Sequence, residues 1–206
     1  SSDVCSSDLS KRLTFYGVDD NAVGVLAAKL LAKKAAAAGT TTKTAIIVSG
    51  KTGSLNLVAR AAGFQTQIQA LGYTVYDLYD SNTDPTPPVT GSEEKPSVVA
   101  SRVEQALTAH PDATLLFMPG SWPFRCTGPG TNTTGQDAGC TAKNWLQMPK
   151  FTAQSDSGPF FTAVVNDLQP ELEAMAAGYV DVAIGQKLWG WGYDTVQMMY
   201  DHVRSG

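Results

Sequence analysis

The 206-residue chain sets 15 Lys and Arg against 19 Asp and Glu, a formal net charge of −4, with 43% hydrophobic and 17% charged residues. These values suit a folded chain with a sizeable core and argue against a nucleic-acid partner, which needs a basic face. No apolar run of about 18 residues is present, so no membrane-spanning helix is expected, and no charged-then-apolar leader opens the sequence.

The first nine residues, SSDVCSSDL, repeat Ser-Ser-Asp without periodicity or an apolar face. Ser-Ser-Asp-Leu can be encoded TCT-TCC-GAT-CT plus any base, and Asp-Val-Cys GAC-GTG-TGC, which matches the end of a common sequencing adapter. Ser1–Leu9 is therefore expected to be adapter sequence, and residues 10–206 the protein domain. That reading takes Cys5 out of the cysteine count.

Strands and helices then alternate. Leu13–Val18 reads as a strand. From Asn21 to Ala38, Val23, Leu26, Ala27, Leu30 and Leu31 recur at helical spacing, with Asp20 or Asn21 able to cap the start and Gly39 closing the end. Thr44–Val48 is a short apolar run, the pattern of a strand covered on both faces. A second helix carries Leu57, Ala61, Phe64, Ile68 and Leu71 on one side and closes at Gly72. Tyr73–Tyr79 is the next strand, and a polar, proline-rich excursion follows.

A helix is expected from Ser97 to Ala109, stopped by Pro111, and Thr114–Met118 is a strand. A long irregular segment, from Pro119 to about Pro159, contains CTGPGTNTTGQDAGC, framed by Cys126 and Cys140. With no histidine at metal-ligand spacing beside them, the two cysteines are expected to form a disulfide, stabilising by about 3 kcal/mol and belonging to an oxidising compartment. Two free thiols are the alternative. Phe161–Val165 is a strand, Pro170–Ala177 a short helix closed by Gly178, Val180–Gly185 the last strand, and Trp189–Val203 the final helix. Such alternation predicts an α/β fold, a doubly wound parallel sheet flanked by helices.

Ligands of such sheets bind beyond the carboxyl ends of the strands, so the residues there matter most. SGKTGS imitates a phosphate loop, but the motif needs a glycine where Ala45 stands. PGSWP lacks the framing glycines of a nucleophile elbow. His110 and His202 both sit at helix ends, where the helix dipole favours them without catalysis. Neither a zinc set nor a nucleophile–base pair is found, so no metal, cofactor or enzymatic activity is expected. What remains is polar and aromatic: Asn56, Asp167 and Gln186 at strand ends, with Trp122, Trp189 and Trp191 on similar segments. Amides and carboxylates that chelate hydroxyls, beside aromatic faces that cover C–H patches, suit a sugar or polyol. Core packing for the tryptophans and helix capping for Asn56 and Asp167 are the structural alternatives.

The stretch FTAVVNDLQPELEAMAAGYVDVAIGQKLWGWGYDTVQMMYDHV resembles the C-terminal lobe of type I periplasmic binding proteins, the ribose-binding-like sugar receptors of ABC transporters. The matching features are Asp167 after the Val-Val strand, Pro170–Glu171, Ala177–Gly178, Gln186 and Gly192–Tyr193. YGVDDNAVGVLAAKLLAKK is similar to the segment that crosses between the family's two lobes. IIVSGKTGSLNLVARAAGFQTQIQALGY is similar to the strand, loop and helix that follow, with Asn56, Arg60, Gly63 and Phe64 in place. The resemblance implies a truncated chain: a crossing segment plus the C-terminal lobe of a two-lobed clamp. It also implies a periplasmic protein, made with a signal peptide, that closes on a monosaccharide or polyol and hands it to an ABC permease. Asp167 would accept sugar hydroxyls, Gln186 would be a hinge-side amide, and Asn56 and Trp122 would face the ligand. Val58 stands where ribose-type receptors carry an arginine, and Asn166 where a phenylalanine is usual, so the sugar itself stays open. The effector lobe of a LacI-type sugar-responsive regulator shares this fold and is the alternative.

Overall fold

The computed structural model describes residues 17–48, 54–77, 96–124 and 158–205. Its elements are α1 (Asp20–Ala37), β1 (Thr44–Ile47), α2 (Leu55–Ala70), β2 (Thr74–Asp77), α3 (Pro96–Ala109), β3 (Leu115–Met118), a 3-10 turn (Trp122–Phe124), β4 (Phe161–Val165), α4 (Gln169–Ala176), β5 (Val182–Ile184) and α5 (Leu188–Ser205). Every expected element that falls on described residues is present. The expected strand at Leu13–Val18 lies mostly outside them, and its described end, residues 17–18, is not strand. Ser1–Leu9, Cys5, Cys126 and Cys140 also lie outside the described residues.

Five parallel strands form one sheet in the order β2-β1-β3-β4-β5. The order turns back between β1 and β3, the switch point of a doubly wound sheet. Both faces of the sheet are covered, and the period-two geometry of a strand explains why β3, and β1 after Thr44, are apolar at every position. Ala45, Ile47, Leu115 and Phe117 face α1 and α2, where Ala27, Leu31, Phe64 and Ile68 complete one core. Ile46, Leu116, Met118 and Val164 face the other way, onto Val99, Val103 and Leu107 of α3 and Ala174 of α4. Phe64 stacks on Phe117 with ring centroids 4.4 Å apart; burying such a ring stabilises by about 1.5–3 kcal/mol.

Glycine sets two kinds of boundary. Behind α2, Gly72 takes φ 86°. Its N–H donates to Gln69 O at 2.8 Å, and that of Tyr73 to Ile68 O at 3.2 Å, the two bonds of a Schellman stop. Gly178 ends α4 in the same way. Between α1 and α2 the glycines allow close approach instead. A Cβ on Gly24 would strike the Arg60 carbonyl, and one on Gly63 the Asn21 carbonyl.

The chain divides into two compact units, Asp20–Gly185, which holds the sheet, and Ser1–Asp19 with Gln186–Gly206. Within the second, α5 carries Trp189, Tyr193, Val196, Tyr200 and Val203 along one stripe. None of its residues is buried. Among the described residues no helix is long and apolar enough to cross a membrane.

Candidate ligand site at the carboxyl ends of the strands

Parallel strands bring all their carboxyl ends to one edge of the sheet, and the loops there behave in two ways. After β3 the chain turns inward. Ser121 is 2% exposed and Trp122 6% exposed. The indole folds back over Gly120, where a Cβ would meet its ring. Trp122 thus belongs to the core beside Val48 and Met118, and its Nε1 has no hydrogen-bond partner among the described residues. The expectation that it faces a ligand is not matched by an open aromatic surface, because the glycine before it lets the ring lie flat against its own loop.

The same loop is tied from below. Arg60, 4% exposed, donates from Nε to Asp20 Oδ1 at 2.7 Å and from Nη1 to the Pro119 carbonyl at 3.0 Å. One guanidinium therefore joins the start of α1, the middle of α2 and the end of β3, a task that suits its rigid fork of donors. Asp20, expected as a cap, lies inside α1 with its carboxylate accepting from Arg60.

After β4 the chain turns outward. Asn166 takes φ 101° with a half-buried side chain. Positive φ is costly for residues with a Cβ, and asparagine tolerates it better than most. Its N–H donates to Ile184 O at 2.9 Å, which continues the β4–β5 ladder by one step. Asp167 follows, exposed, with its carboxylate lying over Gly185 at the end of β5. This carboxylate does not cap α4, whose N-cap position is Leu168 and has no side-chain hydrogen bond. Asn56 is exposed on the first turn of α2, beyond the end of β1, so it and Asp167 rise from the same edge of the sheet.

Gln186 opens the second unit, half-buried, and its carbonyl accepts from the Leu188 N–H at 2.8 Å. Trp189, 77% exposed, stacks on Tyr193 with centroids 4.9 Å apart. Among the described residues no cluster of His, Cys, Asp and Glu could hold a metal. A cavity of about 330 Å³ opens at the opposite, amino edge of the sheet, lined in part by Thr40, Thr42, Asp112 and Thr114. Two hydrogen bonds tie this edge together: Thr44 Oγ1 donates to Asp112 at 2.6 Å, and Thr114 Oγ1 to Thr42 O at 3.2 Å.

Residues that composition and spacing did not single out shape this edge. Gly185 lies under the Asp167 carboxylate, and Asn166 precedes it at positive φ. A glycine at a strand end was the visible signal, but its contact lies far away along the chain.

The profile of a family described as periplasmic binding protein domain matches residues 2–206. No curated protein is similar enough in sequence to match. Solved structures share the fold. A periplasmic ribose ABC transporter protein from Conexibacter woesei DSM 14684 aligns at TM-score 0.66 and 16% identity, over 93% of this chain and 53% of its own. An ABC transporter solute-binding protein from Burkholderia graminis C4D1M, in complex with D-arabinose, aligns at 0.65 and 20%, over 94% and 56%. One from Actinobacillus succinogenes 130z with bound D-allose aligns at 0.63 and 14%, over 93% and 55%. The chain thus spans little more than half the length of these three proteins.

Proposed function

The chain belongs to the periplasmic binding protein domain family, and on that premise we propose that it is the solute-binding component of an ABC transporter for a monosaccharide or related polyol. The observation that carries the reading is Asp167, an exposed carboxylate beyond the carboxyl end of β4, an interior strand, on the edge where sheets of this order bind ligands. An ionised carboxylate only accepts, and its two oxygens suit a pair of neighbouring hydroxyls. Such charge-assisted hydrogen bonds are the stronger kind.

Asn56 offers both a donor pair and an acceptor from the same edge, which matches hydroxyls of either sense. Gln186 is the third polar candidate, an amide on the first residue of the unit that follows Gly185 in the chain. Closure of a second lobe over this edge would complete the shell and exclude water. Transport requires release as well as capture, so no covalent chemistry is asked of the chain, and a permease would receive the sugar. The proposed place of work is the periplasm, where a Cys126–Cys140 disulfide would persist.

Calorimetric titration with D-arabinose, D-allose, D-ribose, D-glucose, D-galactose and myo-inositol tests the reading. Heat of binding is expected with at least one of them, and Asp167→Ala should weaken that binding about tenfold or more. An absence of heat with all six would overturn it.

A further inference from the structure

Asp167 has to present its carboxylate in one place to select one arrangement of hydroxyls, yet it stands at an exposed turn, where an aspartate commonly samples several rotamers. Two features restrict it. Asn166 holds φ 101° and is pinned through its N–H to Ile184 O at 2.9 Å, which fixes the direction in which the next residue leaves β4. The carboxylate then lies across the end of β5, over Gly185. A Cβ at that position would fall 2.8 Å from Asp167 Cγ and closer still to Oδ2. Gly185 is exposed and does not use positive φ, so neither turn geometry nor core packing asks for glycine there. What its missing side chain provides is the space the carboxylate occupies.

We propose that Gly185 is a positioning residue for the Asp167 carboxylate: its bare Cα is the seat on which Asp167 rests, and it thereby sets which sugar hydroxyls the site can bind. Any side chain at 185 would lift the carboxylate away from β5 and into the space beyond the strand ends. The inference rests on the reading of Asp167 as a hydroxyl acceptor.

The test is Gly185→Ala, made alone and in an Asp167→Ala background. Because residue 185 is exposed with ordinary φ, the thermal midpoint of Gly185→Ala should stay at the wild-type value. A crystal structure of the variant should show the Asp167 carboxylate displaced from above residue 185. Affinity for the sugar that the wild type binds best, drawn from the six in the panel above, should fall about tenfold or more, the loss expected of a misplaced charge-assisted hydrogen bond. In the Asp167→Ala background the same substitution should change affinity by less than about twofold, because residues that act through one group are not additive. An undisplaced carboxylate, an unchanged affinity, or an equal loss in both backgrounds would overturn the proposal. A wild type that binds none of the six sugars would overturn the reading beneath it instead, a result the structure of the variant keeps separate.

Discussion

Two neighbouring strand ends show how differently one edge of a sheet can be finished. After β3, Pro119–Trp122 folds into the core, closed from above by an indole that is 6% exposed and from below by a buried arginine. After β4, Asn166–Asp167 turns outward on a positive-φ residue and leaves a carboxylate in the open. Both segments follow apolar strands and both carry residue types that suit a sugar. Position at the carboxyl edge makes a residue a candidate, and the local packing decides whether its polar surface is available. At β3, Gly120 lets a large ring fold back onto its own loop; at β4–β5, Gly185 gives a small charged group a place to rest.

If the β3 end is structural, its substitutions should cost stability, and the largest loss is expected for Arg60→Ala. The change strips the Pro119 carbonyl of its donor and leaves Asp20, about a quarter exposed, without its cation. A destabilisation of about 3 kcal/mol, the low end for a broken buried pair, should appear in urea denaturation. Gly24→Ala or Gly63→Ala sets a methyl against backbone carbonyls of the facing helix. Either should cost about 2–3 kcal/mol by the same measurement. Gly120→Ala must move the Trp122 ring, and should cost about 1–2 kcal/mol with a shift in tryptophan fluorescence.

The β4 end should lose less stability and more affinity. Asn166→Ala keeps a Cβ at positive φ while removing the residue type that tolerates it, for a loss of about 1 kcal/mol in the same urea assay. Asp167→Ala should leave stability within about 0.5 kcal/mol of wild type, as befits an exposed side chain, while sugar affinity drops. Equal stability losses at both strand ends would erase the contrast.

Much of this architecture was legible in the residues. The apolar run of β1, the Val-Val strand before Asp167 and the glycines behind α2 and α4 are local signals, and these elements formed where the residues pointed. The expected site residues were harder to judge. Trp122 could serve either packing or binding as a sequence feature, because the choice depends on whether the ring finds room over Gly120. The role of Arg60 depends on Asp20 and Pro119, which the fold brings to it from α1 and β3. Asp167 and Gly185 meet only because β4 pairs with β5, and no spacing rule encodes that contact.

The most direct test of the central claim is a map of backbone amide chemical shifts of the chain titrated with the sugar panel. The account predicts perturbations at Asn166, Asp167 and Gly185 on the carboxyl edge, and none at Thr40, Thr42 or Asp112 on the amino edge. Shifts confined to the amino edge, or no shifts at any sugar concentration, would contradict it.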